Sequence, residues 1–238
     1  MVVARAAEWL SRVRGKGAPA NASIGLNVCL TGLASRGYAP ACVLDIGAGS
    51  GHWTKEALRV WPKARYVLFE PLRERQAALE ELRNLHSNVD YILAGASDGP
   101  GRLSLGIYPD RLDESSFCYD GPENRAVDMV TVDDLMRQGR FPQPQFIKID
   151  VQGFEIKVLT GAAAAMAACD LILMEMHFYR FAPSMVLLHE VIDWMARRNF
   201  LPYEVVEVLR RPYDGAMGEC DMLFARKDHR LATTARWL

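Results

Sequence analysis

The sequence predicts an α/β fold with a mostly parallel sheet and an antiparallel hairpin at its C-terminal end. From residue 40 onward, short apolar runs alternate with amphipathic stretches of ten or more residues, which is the spacing of βαβ units. Some apolar runs, such as "DLILMEM" at 170–176, are continuous, as expected for strands buried on both faces. The last two runs, at 203–211 and 220–226, are joined by a turn-rich segment, which predicts the hairpin.

The individual elements follow from apolar periodicity and from Gly and Pro punctuation. The predicted helices span 3–14, 24–37, 52–61, 73–85, 155–166 and 184–199. The predicted strands span 42–46, 65–70, 89–96, 101–108, 125–132, 146–151, 170–178, 203–211 and 220–226. The helices at 3–14 and 184–199 carry apolar faces that could support a homodimer.

Size and composition limit the class of protein. The 238 residues suit a single domain over 1–238, with an N-terminal helical extension at 1–39 and a core at 40–227. The formal net charge of −1 gives no global attraction to nucleic acid or anionic membranes. Five scattered cysteines without a CxxC pair indicate reduced thiols in a cytoplasmic protein, with no zinc site. No apolar run is long enough for a membrane span, and the charged N-terminus argues against a signal peptide.

The stretch "LDIGAGSGHW" predicts a ligand site at the end of the first core strand. Glycines allow a sharp turn whose backbone approaches a ligand, and the following helix begins with partial positive charge. A P-loop is excluded because Gly51 is followed by His52, and the dinucleotide fingerprint would need its third glycine at that same position. Asp45 would also repel a pyrophosphate. S-adenosylmethionine, which is cationic and has no phosphate, suits this acid. The predicted cofactor-binding residues here are Asp45, Gly47, Ala48, Gly49 and Gly51.

The next two strands complete the predicted cofactor site. Glu70 and Pro71, at the end of the second strand, are also predicted cofactor-binding residues, and the Glu70 carboxylate can accept hydrogen bonds from both ribose hydroxyls. Glu70 alone does not distinguish S-adenosylmethionine from NAD, since dinucleotide folds place an acid similarly. Ala96, Ser97 and Asp98 end the third strand and are predicted to contact adenine. Alternatively, the two polar residues among them only begin the following turn.

The run "FIKIDVQGFEIKVLTGA" at 146–162 is the second informative motif. Together with "VLDIGAGSGHWT", "VLFEP", "AGASDGPG", "TVDDL" and "LILMEMHF", it resembles the FkbM-type methyltransferases over about residues 40–227. This resemblance implies the seven-stranded, Rossmann-like class I methyltransferase fold with helices on both faces. It also implies S-adenosylmethionine-dependent O-methylation of a hydroxyl on a small molecule or sugar, in natural-product or glycan biosynthesis. One departure is Gly49, where the family often has asparagine.

Three residues are candidates for the base that accepts the acceptor's proton: Asp150, Glu175 and His177. His177 follows the fifth strand, and its ordinary pKa near 6.5 leaves a neutral imidazole at pH 7. Asp150 also counts among the cofactor-binding residues, at the mouth of the site. It could instead bind a metal, but no partner set is evident, so no metal site is predicted.

The loop at 109–124 is predicted to cover or select the acceptor, the alternative being a disordered surface loop. Its candidate contact residues are Ser115, Ser116, Phe117 and Tyr119. Two other functions remain open: a non-catalytic S-adenosylmethionine-binding regulator and an NAD-dependent oxidoreductase. A nucleic-acid methyltransferase is disfavoured because the sequence has neither an Asn-Pro-Pro-Tyr-type clamp nor a basic stripe. The expected partner is a small-molecule or sugar hydroxyl.

Overall fold

A computed structural model describes residues 24–233 of the chain. Its main feature is a seven-stranded sheet with the strand order β3-β2-β1-β7-β8-β10-β9. Neighbouring strands are parallel except at β10, which is antiparallel to both β8 and β9. The predicted mostly parallel sheet with a C-terminal antiparallel hairpin is therefore confirmed. The predicted helix at 3–14 lies outside the described residues.

The strands and helices have the following bounds. The strands are β1 Cys42–Ile46, β2 Arg65–Phe69, β3 Val89–Ile92, β4 Gly95–Ala96, β5 Gly101–Ile107, β6 Glu123–Val130, β7 Phe146–Ile149, β8 Leu171–His177, β9 Phe200–Arg210 and β10 Met217–Arg226. The helices are α1 Leu26–Ser35, α2 His52–Val60, α3 Gln76–Leu85, α4 Val132–Arg137, α5 Glu155–Thr160, α6 Ala163–Ala167, α7 Leu188–Ala196 and α8 Arg230–Thr233.

The central strands are buried on both faces, which explains their continuous apolar character. All five residues of β1 are buried, including Asp45. On one face Leu44 and Met174 pack with residues of α5, α6 and α7. On the other face Val43 and Leu173 pack with residues of α1, α2 and α3. The carboxyl ends of the parallel strands consequently meet at one edge of a sheet covered by helices.

A second sheet of three strands, in the order β4-β6-β5, stands beside the first. It divides the predicted strand at 89–96, because Gly95 leaves the large sheet and pairs with Met129 of β6. The Met129 side chain packs so closely on Gly95 that a Cβ there would lie 2.7 Å from its sulfur. The division of the predicted strand thus follows from a contact between residues 34 positions apart.

Two further predicted elements differ from the structure. The predicted helix at 155–166 is two helices, α5 and α6, which meet at Gly161. There the backbone approaches Ser97 so closely that a Cβ would lie 1.9 Å from its carbonyl oxygen. The predicted strand at 125–132 ends at Val130, because Thr131 caps α4 by accepting a hydrogen bond from the Asp134 N–H at 3.0 Å.

Within residues 24–233, no helix combines the length and the apolar character needed to cross a bilayer.

Candidate active site

A cavity of about 290 Å³ lies at the carboxyl ends of β1, β2, β7 and β8. It brings together ten of the predicted site residues: Gly47, Ala48, Gly49, Glu70, Pro71, Ala96, Ser115, Phe117, Asp150 and Glu175. Seven other predicted residues are not in its lining: Asp45, Gly51, Ser97, Asp98, Ser116, Tyr119 and His177. The cavity occupies the position where open α/β sheets bind their ligands.

The turn after β1 is tight enough to require glycine. Gly47 has φ +74°, and a Cβ there would lie 1.8 Å from the carbonyl oxygen of Asp150. Gly49, at φ +55°, also lines the cavity, and its backbone N–H donates to a carboxylate oxygen of Glu70. Gly51, at φ +75°, begins α2 and packs below the turn, where a Cβ would lie 2.8 Å from Leu82. The first two glycines shape the cavity wall, and the third seats the helix behind it.

Glu70 is buried in the wall of the cavity and braces the glycine turn. Its two carboxylate oxygens accept hydrogen bonds from the Gly49 N–H at 2.8 Å and the Leu72 N–H at 2.9 Å. Burial raises the pKa of Glu70 to about 7, although both backbone hydrogen bonds act to lower it. Since each carboxylate oxygen has two lone pairs, the side chain can still accept hydrogen bonds from a ligand in the cavity.

Asp45 lies beneath the turn and is fully buried. It accepts a hydrogen bond of 2.6 Å from the Thr54 hydroxyl, and its other oxygen lies 3.2 Å from the Lys148 ammonium. Lys148 also donates to the carbonyl of Gly47 at 2.8 Å. Asp45, which the sequence predicts to bind the cofactor, therefore forms an ion pair with Lys148. Lys148 in turn hydrogen-bonds to the backbone of the glycine turn. Burial disfavours the ammonium, but the charges of Asp45 and Asp150 outweigh it and raise the pKa of Lys148.

A second group of acids forms the cavity wall on the side of β7 and β8. Asp150 lies 3.5 Å from the Lys148 ammonium. The amide of Gln152 donates to Asp150 at 3.2 Å and to Glu175 at 2.6 Å. Burial acts to raise the pKa of Asp150, but Lys148 and these hydrogen bonds outweigh it, so that pKa is lowered. Burial and the neighbouring acids raise the pKa of Glu175 well above its ordinary value.

Asp221 is a cavity residue that the sequence analysis missed. It lies in β10 directly opposite Glu175 of β8. Burial, with the nearby charge of Asp150, raises its pKa to about 7. An acid within the otherwise apolar run "CDMLFAR" is the signal that could have identified it, since carboxylates are rarely buried without a reason.

His177 is placed behind this wall. It is 1% exposed, and its Nδ1 lies 3.5 Å from a carboxylate oxygen of Glu219. Burial lowers the pKa of His177, but the Glu219 and Glu155 carboxylates outweigh it and raise that pKa. Within residues 24–233 neither ring nitrogen has a hydrogen-bond partner. His177 is not among the residues that line the cavity.

The loop at 109–124 closes one side of the cavity. Ser115 and Phe117 are in the lining. The Ser116 hydroxyl donates to the carbonyl of Gln152 at 2.8 Å and so ties the loop to the site. Tyr119 points back into the loop and donates to the carbonyl of Glu114 at 2.8 Å. Two of the four predicted acceptor-contact residues therefore face the cavity, and the other two hold the loop in place.

Of the three residues predicted to contact adenine, one lines the cavity and two do not. Ala96 lines the cavity. The Ser97 hydroxyl donates to Asp98 at 3.0 Å, and Asp98 forms an ion pair of 2.7 Å with Lys157 of α5. Ser97 and Asp98 thus secure α5 beside β4, outside the cavity.

This architecture is that of a class I methyltransferase: a seven-stranded sheet with its antiparallel strand next to the edge and a glycine turn after β1. The family model for the FkbM methyltransferase domain matches residues 45–202, and the chain belongs to this family. The resemblance identified from the sequence is therefore confirmed, and so is the fold.

Known proteins with related folds or sequences were also found. The chain is similar to the FkbM methyltransferase of Methylobacillus flagellatus KT, with a TM-score of 0.52 and 18% identity over 78% of this chain and 43% of that one. It also resembles the N-methyltransferase NodS of Bradyrhizobium japonicum WM9, with a TM-score of 0.51, 8% identity and coverage of 84% and 93%. These structures show the fold.

A curated relative is the hexuronic acid methyltransferase AglP of Haloferax volcanii. It is 33% identical over 48 residues, which are 20% of each protein. The match thus spans a fifth of that relative's length, and the structural match spans less than half of the Methylobacillus protein.

Proposed function

We propose that the protein is an S-adenosylmethionine-dependent O-methyltransferase acting on a hydroxyl of a small molecule or sugar. One observation carries the proposal: a single cavity joins the glycine-rich turn after β1, the buried acid Glu70 at the end of β2 and a wall of carboxylates. Family membership supports the methyl-transfer class, and the partial similarity to a hexuronic acid methyltransferase supports a sugar acceptor.

The residues fit this cofactor. The absence of a Cβ at Gly47 lets the glycine turn pack directly against the Asp150 backbone, and this brings the turn and Asp150 together in the lining of one cavity. Glu70 offers acceptor lone pairs for ribose hydroxyls at the β2 side of the cavity. When bound, S-adenosylmethionine supplies a methyl group on a positively charged sulfur, and the carboxylates at the opposite side suit that charge.

Glu175 is the base that the geometry favours. It lines the cavity, and burial together with the neighbouring acids raises its pKa above the ordinary carboxyl value, so that it binds a proton more strongly than a free carboxylate does. Asp150 is ion-paired with Lys148, and this makes it a poorer proton acceptor. The acceptor loop, through Ser115 and Phe117, would hold the hydroxyl in line for transfer.

The test begins with calorimetric titration of S-adenosylmethionine and NAD into the full chain. We expect binding of the former, and Glu70→Ala should weaken it about ten-fold or more if two ribose hydrogen bonds are lost. NAD binding without S-adenosylmethionine binding would instead establish an oxidoreductase. Binding without methyl transfer to any monosaccharide or cell extract would favour a regulator.

The choice of base is tested by comparing Glu175→Gln with His177→Gln. Transfer of a labelled methyl group should fall about 100-fold or more in Glu175→Gln, which is the usual contribution of a general base. His177→Gln, outside the cavity, should lose much less. A larger loss in His177→Gln would contradict the assignment.

A further inference from the structure

Three carboxylates stand in one row across the acceptor side of the cavity. Asp150 directly follows β7, Glu175 lies near the end of β8, and Asp221 lies opposite Glu175 in β10. All three line the cavity, on the same side of the sheet as Lys148. The row therefore continues the cavity wall away from Glu70 and β2.

The charges in this row are not all compensated. Asp150 has the Lys148 ammonium at 3.5 Å. Glu175 accepts a hydrogen bond from the neutral amide of Gln152 and shares a hydrogen bond with Asp150. The charge of Lys148 also acts on Asp221, but within residues 24–233 neither Glu175 nor Asp221 forms an ion pair. The other cationic side chain in the lining, Arg75, is bound to Asp113 at 2.5 Å. Two carboxyl groups in the wall thus have no cation within ion-pair distance.

Resting on the function proposed above, we infer that Glu175 and Asp221 make the site selective for the positively charged donor, S-adenosylmethionine, over its neutral product, S-adenosylhomocysteine. A donor whose nucleoside is held by Glu70 at β2 must direct its reactive end toward β7 and β8. The two ligands share every group that the glycine turn and Glu70 can bind. They differ in one methyl group and one positive charge, so a wall of uncompensated carboxylates distinguishes them by charge alone.

The same pair keeps the site electrically balanced during turnover. In the transfer, the acceptor O–H bond breaks and its proton moves to Glu175. The oxygen's electron pair forms the new O–C bond, and the electrons of the broken C–S bond remain on sulfur. Glu175 is therefore ionised while the ligand is cationic and protonated once the ligand is neutral. Glu175 itself therefore carries one proton more in the product complex than in the donor complex.

The charged groups around the pair set the pH range of this effect. Asp150 and Lys148 face it from β7, Glu219 from β10 and Glu207 from β9, and Glu155 and His177 lie behind it. Burial raises the pKa of Asp221 to about 7, and that of Glu175 is also raised. A cation in the cavity favours the ionised forms, so binding of S-adenosylmethionine should release protons near neutral pH.

The experiment is calorimetric titration of both ligands into the full chain, between pH 6 and 8, in buffers of different ionisation enthalpy. The Kd for S-adenosylhomocysteine should exceed that for S-adenosylmethionine by about ten-fold, the low end of the effect of a charge within 4–6 Å. The ratio of the Kd for S-adenosylhomocysteine to that for S-adenosylmethionine should rise with pH. Ionisation of Glu70 can release protons when either ligand binds, but only S-adenosylmethionine should release protons beyond that amount. Glu70 also titrates near pH 7, but it contacts both ligands alike and cancels in the ratio.

Two variants locate the effect. Asp221→Asn and Glu175→Gln should each bring the ratio of the two Kd values toward one, whereas Asp128→Asn, an equal charge change on the exposed small sheet, should leave it unchanged. A wild-type ratio within two-fold of one at every pH would overturn the inference without any variant, as would a ratio that both variants leave intact. Failure of both ligands to bind would contradict the proposed function instead.

Discussion

Replacing Gly47 with alanine tests the geometry on which the whole cavity depends. An alanine at φ +74° costs about 1–2 kcal/mol of backbone strain. Its Cβ would start 1.8 Å from the Asp150 carbonyl oxygen and has to reach at least 3.0 Å, so one turn must move by about 1.2 Å. Such overpacking costs about 1–3 kcal/mol more. We expect a loss of about 2–5 kcal/mol in the free energy of unfolding and at least ten-fold weaker binding of S-adenosylmethionine.

Urea denaturation and calorimetric titration measure the two effects, and two other glycines provide matched controls. Gly49→Ala has φ +55°, but its Cβ would meet only the side chain of Asp113 at 3.6 Å, so it should show the strain cost alone. Gly99→Ala meets nothing within 4 Å and should be close to neutral. Equal destabilisation by Gly47→Ala and Gly49→Ala, or unchanged cofactor affinity in Gly47→Ala, would refute the reasoning.

Two other predictions concern the buried charges. Lys148→Met should destabilise the fold by about 3–5 kcal/mol, because it leaves Asp45 buried without its cation. Adding Asp45→Asn should recover part of that loss in urea denaturation, and simple additivity of the two changes would contradict the pairing. Glu70 has its pKa raised from 4.5 to about 7 in the fold, so the folded state favours its protonated form. Its contribution to stability is therefore present below about pH 4.5 and is lost as the pH rises to about 7. Wild-type stability should fall more steeply than that of Glu70→Gln over this range, and parallel curves in urea denaturation would speak against the raised pKa.

The fold could be predicted wherever local pattern decides the structure. The apolar runs of β1 and β8 mark buried strands whatever they pack against. The errors fall where a distant contact decides. Gly95 leaves the third strand because Met129 lies against it, and Gly161 ends α5 because the Ser97 backbone lies there. Neither partner can be inferred from the residues adjacent in sequence.

Part of the site could be predicted because the carboxyl ends of parallel strands meet at one edge of the sheet, where ligands bind. This rule placed Glu70, Asp150 and Glu175 in a single cavity, and the structure brings all three there. It cannot say whether a polar side chain faces the ligand or a neighbouring strand, and for that reason the ion pair of Asp45 with Lys148 could not be predicted. Asp221 could not be predicted from strand ends, because β10 is antiparallel and Asp221 lies in the middle of it.

The small sheet has a consequence for how the acceptor preference of such an enzyme can be changed. Its strands have their own apolar cluster, which includes Leu105, Ile107 and Val127, and they carry the loop at 109–124 between β5 and β6. The unit enters after residue 94 and leaves at residue 131. If the loop at 109–124 selects the acceptor as proposed, a chimaera that exchanges these residues with those of a relative should acquire the relative's acceptor preference while keeping the glycine turn, Glu70 and the carboxylate row of the recipient.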